Sequence, residues 1–88
     1  MKIQDRIDFR VKVLIALYEI YFETGGENLS DEYVDFDNNE NAKEYHLAFD
    51  YLYKKGFLEY TKLGNTFKVR INIQGIDFVE NDLIDRVV

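Results

Sequence analysis

Between Gln4 and Thr24 the chain carries neither glycine nor proline, and Ile3, Ile7, Val11, Leu14, Ile15, Tyr18 and Phe22 recur at i, i+3 and i+4 intervals. That period predicts one long helix with a buried face. At about 100° per residue, Phe9, Val13, Ala16, Leu17 and Ile20 form a second apolar stripe on nearly the opposite side. Asp5, Asp8, Lys12, Glu19 and Glu23 make up the polar edge. A helix with two apolar sides needs two partners. One is the domain's own core; the other is the last helix or a second copy of the chain. Phe9, Val13, Leu17 and Ile20 are therefore a candidate homodimer face. Gly25-Gly26 ends the helix where glycine usually does.

Ser30 can cap a short second helix whose first turn holds Asp31 and Glu32, acids that suit the positive end of a helix dipole. The polar run "DNNEN" stops it. Asn41 followed by Glu44 resembles a capping box, and Ala42, Tyr45, Phe49, Leu52 and Tyr53 share one face of a third helix. Lys54-Lys55-Gly56 supplies that helix with basic side chains in its last turn and a glycine stop. The stretch "FLEYTKLGNTFKVRIN" then reads as a hairpin. With Gly64-Asn65 as a glycine-first turn of the II′ kind, Leu63 opposes Thr66, Tyr60 opposes Val69 and Leu58 opposes Ile71. Leu58, Tyr60, Phe67, Val69 and Ile71 take one face, while Glu59 opposite Arg70 and Thr61 opposite Lys68 take the wet one. Asn72 can cap a final helix in which Ile73, Ile76, Val79, Leu83 and Val87 repeat at helical spacing.

The order of elements, helix, short helix, longer helix ending "YLYKKGFLEY", hairpin and closing helix, resembles a winged helix-turn-helix domain. Leu52, Gly56, Phe57 and Leu58 look like its junction between recognition helix and first wing strand, and "IQGIDFVEN" looks like its terminal-helix start, with Asn72 in place of the usual Thr or Ser. Within that superfamily the chain is most similar to the small YjcQ-like proteins of Gram-positive bacteria and their phages, over roughly Val11 to Asn81. The resemblance implies an α+β fold with three helices, a two-stranded wing and a C-terminal helix. It also implies a small DNA-binding protein or accessory transcriptional regulator of phage or mobile-element type. Two departures stand out: an acidic "DFDNNEN" before the recognition helix, and no Arg or Lys at the Gly64-Asn65 wing tip.

If the third helix reads DNA, the residues turned from its core stripe should enter the major groove: Lys43, His46, Leu47, Asp50, Tyr51 and Lys54. Lys43 and Lys54 are suited to phosphates, His46, Leu47 and Tyr51 to base edges or sugars. Asp50 and Glu44 would repel the backbone unless Asp50 accepts from a cytosine amino group. On the wing, Lys62 and Lys68 are the expected phosphate contacts. Arg70 is the weaker candidate, because Glu59 already compensates it.

The net charge is −6, but it is unevenly spread. Six acids and no Lys or Arg lie between Glu27 and Glu40, whereas Lys43 to Arg70 holds six bases against three acids. The acidic connector supports a second reading, an interaction module or inhibitor whose Asp31, Glu32, Asp35 and Asp37 meet a basic protein surface without DNA.

Eighty-eight residues with 47% hydrophobic content suit a single domain spanning residues 1–88. With no cysteine, the chain has no disulfides, thiolate metal sites or thiol nucleophile. "MKIQDRID" lacks a secretory apolar stretch, so a cytoplasmic location is expected. The longest apolar run, "VLIALY", is far short of the roughly 20 residues that span a bilayer. The spacing Asp35-x-Asp37-x-Asn39 begins like a calcium loop, but Glu40 replaces the required glycine and His46 the bidentate glutamate. One histidine, and one serine without an activating neighbour, leave no basis for an enzyme, a metal or a cofactor.

Overall fold

Alternation of apolar and polar residues on either side of Gly64 produces the hairpin that anchors the molecule. The computed structural model describes residues 2–30, 41–64 and 66–83. In it, β2 (Leu58–Leu63) and β3 (Thr66–Ile71) pair antiparallel in the expected register, from Leu58 opposite Ile71 to Leu63 opposite Thr66. Gly64 takes a φ of 59°, the left-handed value a glycine-first turn requires. Leu58, Phe67, Val69 and Ile71 are buried on one face of the hairpin.

The sheet has a third strand that the sequence reading did not contain. Leu29–Ser30 forms β1, whose two residues pair with Val69 and Lys68, giving the order β1-β3-β2. Ser30 is thus a buried strand residue. Two residues are too few for a period to register in the sequence, and pairing with β3 alone makes them a strand. The short helix expected after Ser30 falls outside the described residues.

The long first helix, α1 (Ile3–Thr24), stops at Gly25, whose φ is 72°, and Gly26 donates its N–H to Tyr21 O at 2.8 Å. Its core-facing stripe differs from both stripes expected. Val13, Leu14 and Leu17 are buried, whereas Ile3 is 83% exposed and Ile7 and Phe22 are exposed too. The real meridian runs between the two predicted ones. Phe9 packs edge-on against Tyr45 at a centroid distance of 5.0 Å, and Ile20 is half-buried. The expected dimer residues Val13 and Leu17 are therefore core, with Phe9 packed against it, because the later helices and the hairpin close over that side of the helix.

The helix predicted third is α2 (Ala42–Lys54), and it buries Ala48, Phe49 and Leu52 against α1 and the hairpin. Asn41 stands at its N-cap with no side-chain capping bond, and Glu44 contacts Arg6 at 3.4 Å rather than closing a capping box. At the other end the glycine stop is as expected. Gly56, with φ 87°, donates to Tyr53 O at 2.9 Å and Phe57 N–H donates to Leu52 O at 3.0 Å, the paired bonds of a Schellman ending.

The last helix, α3 (Ile73–Asp82), is held to the sheet by Asn72, whose side chain accepts from Gly75 N–H and donates to Gly56 O, both at 2.9 Å. Phe57 and Phe78 stack at 4.6 Å, and Tyr18 Oη donates to Glu80 at 2.8 Å, tying α3 to the hairpin junction and to α1. That bond to Glu80, with the carboxylate's charge, raises the Tyr18 phenol above its ordinary value. Because Asn72 both caps α3 and holds the Gly56 carbonyl, Asn72→Ala is expected to cost about 1–2 kcal/mol. Urea unfolding followed by circular dichroism would read this as a lower midpoint at unchanged m-value. A midpoint like the wild type's would mean that neither bond contributes.

Candidate functional site

Burial of Ala48, Phe49 and Leu52 on one side of α2 fixes what the other side presents. Leu47 is 58% exposed and stands at the crest of this outer face, with Tyr51 one turn on and Lys43 one turn back. An open groove runs along each flank of the helix. The groove toward α1 is lined by Arg6, Arg10, Lys54 and Lys55 together with Glu44 and Asp50. The groove toward the hairpin is lined by Lys43 and Lys62, with His46, Asp50, Tyr53 and Tyr60.

Both acids on this face are engaged. Glu44 contacts Arg6 at 3.4 Å, and Asp50 pairs with Lys54, one turn away, at 2.9 Å. The repulsion expected of them toward an anionic partner is therefore offset within the protein, although exposed pairs of this kind are worth only about 0.2–1 kcal/mol. Arg10 lies over the Tyr51 ring, with its guanidinium carbon 3.8 Å from the centroid. The stack orients both side chains and leaves the in-plane N–H edge of the guanidinium for other partners.

His46 departs from its expected role. It is half-buried at the floor of the hairpin-side groove, edge-on to Phe49 and Phe67, with Nδ1 3.0 Å from Tyr60 Oη. These contacts turn its ring toward the hairpin rather than outward with Leu47. Burial, and secondly the charge of Asp50, raise the Tyr60 phenol above its ordinary value. Tyr60 therefore stays a neutral hydrogen-bonding group throughout the physiological range.

The two wing lysines part company. Lys62 opposes Phe67 and shares the face that packs toward α2, whereas Lys68 opposes Thr61 on the reverse face, beside β1. Lys43, Leu47, Tyr51, Lys54 and Lys62 are brought together around α2, and Lys68 is not. Arg70 is also on the reverse face, held by Glu59 at 2.6 Å and donating to Gly26 O at 3.1 Å. The expected partner-binding residues Asp31, Glu32, Asp35 and Asp37 lie outside the described residues.

Three cations of the site, Arg6, Arg10 and Lys55, are not among the residues expected from the sequence. The i, i+4 spacing of Arg6 and Arg10 is the one local signal for them, and it is masked by the neighbouring polar edge of Asp5, Asp8 and Lys12. Among the described residues there is no group of three His, Cys, Asp or Glu side chains able to hold a metal. No helix among them is long and apolar enough to cross a membrane.

The described residues form a small α+β protein with three helices and a three-stranded antiparallel sheet, in which one helix presents an outer face flanked by cations. No family model, curated protein or solved structure matches this chain.

Proposed function

We propose that this is a double-stranded DNA-binding protein of winged-helix type, an accessory transcriptional regulator in which α2 is the recognition helix and the β2–β3 hairpin the wing. The observation that carries the reading is charge segregation. Among the described residues, six of the 10 cations and only two of the 11 acids line the two grooves beside α2. Phosphate neutralisation supplies most of the affinity of such proteins, so a locally positive face matters more than the total. The arrangement of helix, short strand, recognition helix, hairpin and closing helix is compatible with this class. The third strand, β1, braces the hairpin without covering the outer face of α2.

In this reading α2 enters the major groove, which is wide enough for a helix. Leu47 at the crest suits apolar contact with a thymine methyl, and Tyr51 the neighbouring sugar or base edge. Lys43 and Lys62 meet phosphates on one side of the helix, and Lys54, freed from Asp50, on the other. Lys68 has no part in it.

Fluorescence anisotropy with a labelled mixed-sequence duplex, at about 50 and 200 mM salt, tests the proposal. Binding at the lower salt that collapses at the higher is expected. Lys43→Glu with Lys62→Glu should weaken binding to every sequence, Lys68→Glu should leave it nearly unchanged, and Leu47→Ala should alter sequence preference more than salt dependence. An absence of binding at about 50 mM salt would overturn the DNA reading and favour a basic protein partner for the acidic connector.

A further inference from the structure

We infer that Arg10 and Lys55 form a phosphate-binding site in the cleft between α1 and the C-terminal end of α2, across the helix from Lys43 and Lys62. The inference rests on the DNA reading above and names the contacts that hold the second strand. Among the described residues four cations line this cleft, and two of them are already matched: Arg6 with Glu44 at 3.4 Å and Lys54 with Asp50 at 2.9 Å. Arg10 and Lys55 are the remaining two, and among the described residues neither forms an ion pair.

The surroundings of Arg10 set it apart from a freely solvated surface charge. It is half-buried, its guanidinium is stacked 3.8 Å over Tyr51, and it stands beside Lys55 at the junction with the apolar groove formed by Val11, Leu14 and Phe57. A chain with 17 acids and 11 bases has ample carboxylate with which to compensate two neighbouring cations. Among the described residues the cleft holds them with a surplus of two positive charges. Stacking already fixes the plane of the guanidinium, so little side-chain freedom remains to be lost when its N–H edge meets an oxyanion. Lys55 adds a flexible point charge next to it. Because this pair and the Lys43/Lys62 pair flank opposite sides of α2, the helix is straddled by cations, as a helix between the two backbones of a duplex requires.

The plain alternative is that Lys55 merely suits the negative end of the α2 dipole and Arg10 merely covers apolar surface with its stem. Salt dependence separates the two. Each phosphate contact contributes about 0.9 to the slope of log K against log salt. Loss of two contacts in Arg10→Ala/Lys55→Ala should therefore shrink the ratio of Kd at 200 mM to Kd at 50 mM by about tenfold relative to wild type. Arg10→Lys/Lys55→Arg, which keeps both charges, should retain the wild-type slope. Lys12→Ala, on the exposed side of α1 away from the cleft, is the control and should leave the slope unchanged. Lys55→Ala alone, at an exposed position, provides the same readout with half the change in slope, about 3.5-fold in the Kd ratio, should the double variant melt early.

If wild type binds duplex and the double variant shows the same Kd and slope, the phosphate site is refuted while the DNA reading stands. If wild type does not bind duplex at about 50 mM salt, both fall together. A slope that drops equally in Lys12→Ala would also refute the site, since the effect would then reflect net charge alone.

Discussion

Phe49→Ala is expected to destabilise the protein by about 3–5 kcal/mol and to lower its Tm by roughly 15 °C or more. The side chain is only 1% exposed and its ring lies 5.6 Å from Tyr60, 5.9 Å from His46, 6.1 Å from Phe67 and 6.2 Å from Tyr45. From the inner face of α2 it reaches both strands of the hairpin. Truncation removes the transfer free energy of the ring and leaves a cavity whose rigid aromatic walls have little freedom to collapse. With domain stabilities of about 5–15 kcal/mol, a loss of this size leaves a marginal fold. Phe49→Leu, which keeps most of the volume, should cost far less, and thermal melts of the two variants by circular dichroism would check the difference. Equal Tm values for Phe49→Ala and wild type would mean that α2 does not dock on the hairpin through this ring. The functional consequence follows from the geometry: without Phe49 the outer face of α2 loses the footing that sets Leu47 between its two grooves.

Gly75→Ala should cost about 2–3 kcal/mol even though alanine is by about 1 kcal/mol the better helix former. A Cβ at this position would lie 2.3 Å from Phe57 O and 2.6 Å from Ile71 Cγ1. The Phe57 carbonyl cannot simply swing aside, because it accepts from Asn72 N–H at 3.1 Å at the start of α3. Relief requires α3 to lift from the hairpin junction, which loosens the Phe57–Phe78 stack and the Asn72 cap together. Gly64→Ala is the informative comparison. Its Cβ would meet nothing within 4 Å, so its cost is the strain of a φ of 59°, roughly 1–2 kcal/mol. Urea midpoints should therefore fall further for Gly75→Ala than for Gly64→Ala. The reverse order would show that α3 sits further from the sheet than the structure has it.

These two positions differ in how far the sequence alone reveals them. Phe49 belongs to a visible apolar stripe with Ala42, Tyr45 and Leu52, so its burial is legible from spacing. Gly75 reads as an ordinary glycine in a helix start. Its necessity comes from a backbone carbonyl 18 residues earlier in the chain, which no local pattern encodes.

The same division runs through the candidate site. That Lys43, Leu47, Tyr51 and Lys54 face outward follows from helical periodicity once Phe49 and Leu52 face inward, and the hairpin register follows from alternation about Gly64. Both are local rules; the register holds residue for residue, while the helix faces hold except at His46 and at Tyr53, which is expected on the inner stripe and is 49% exposed. His46 lies at the margin of the helix face, where periodicity cannot decide. The hydroxyl of Tyr60 and the rings of Phe49 and Phe67 draw it toward the hairpin.

From its sequence alone the protein has determined its glycine stops, its hairpin register and the inner and outer faces of α2, because each depends on residues within a few positions of one another. Only tertiary structure decided which meridian of α1 meets the core, that Leu29–Ser30 becomes a strand, and that Arg6 and Arg10 join α2. Those outcomes depend on which surfaces meet when elements distant in the chain pack together. A helix with apolar residues on several sides, or a two-residue strand, carries no local preference strong enough to choose among the possible partners.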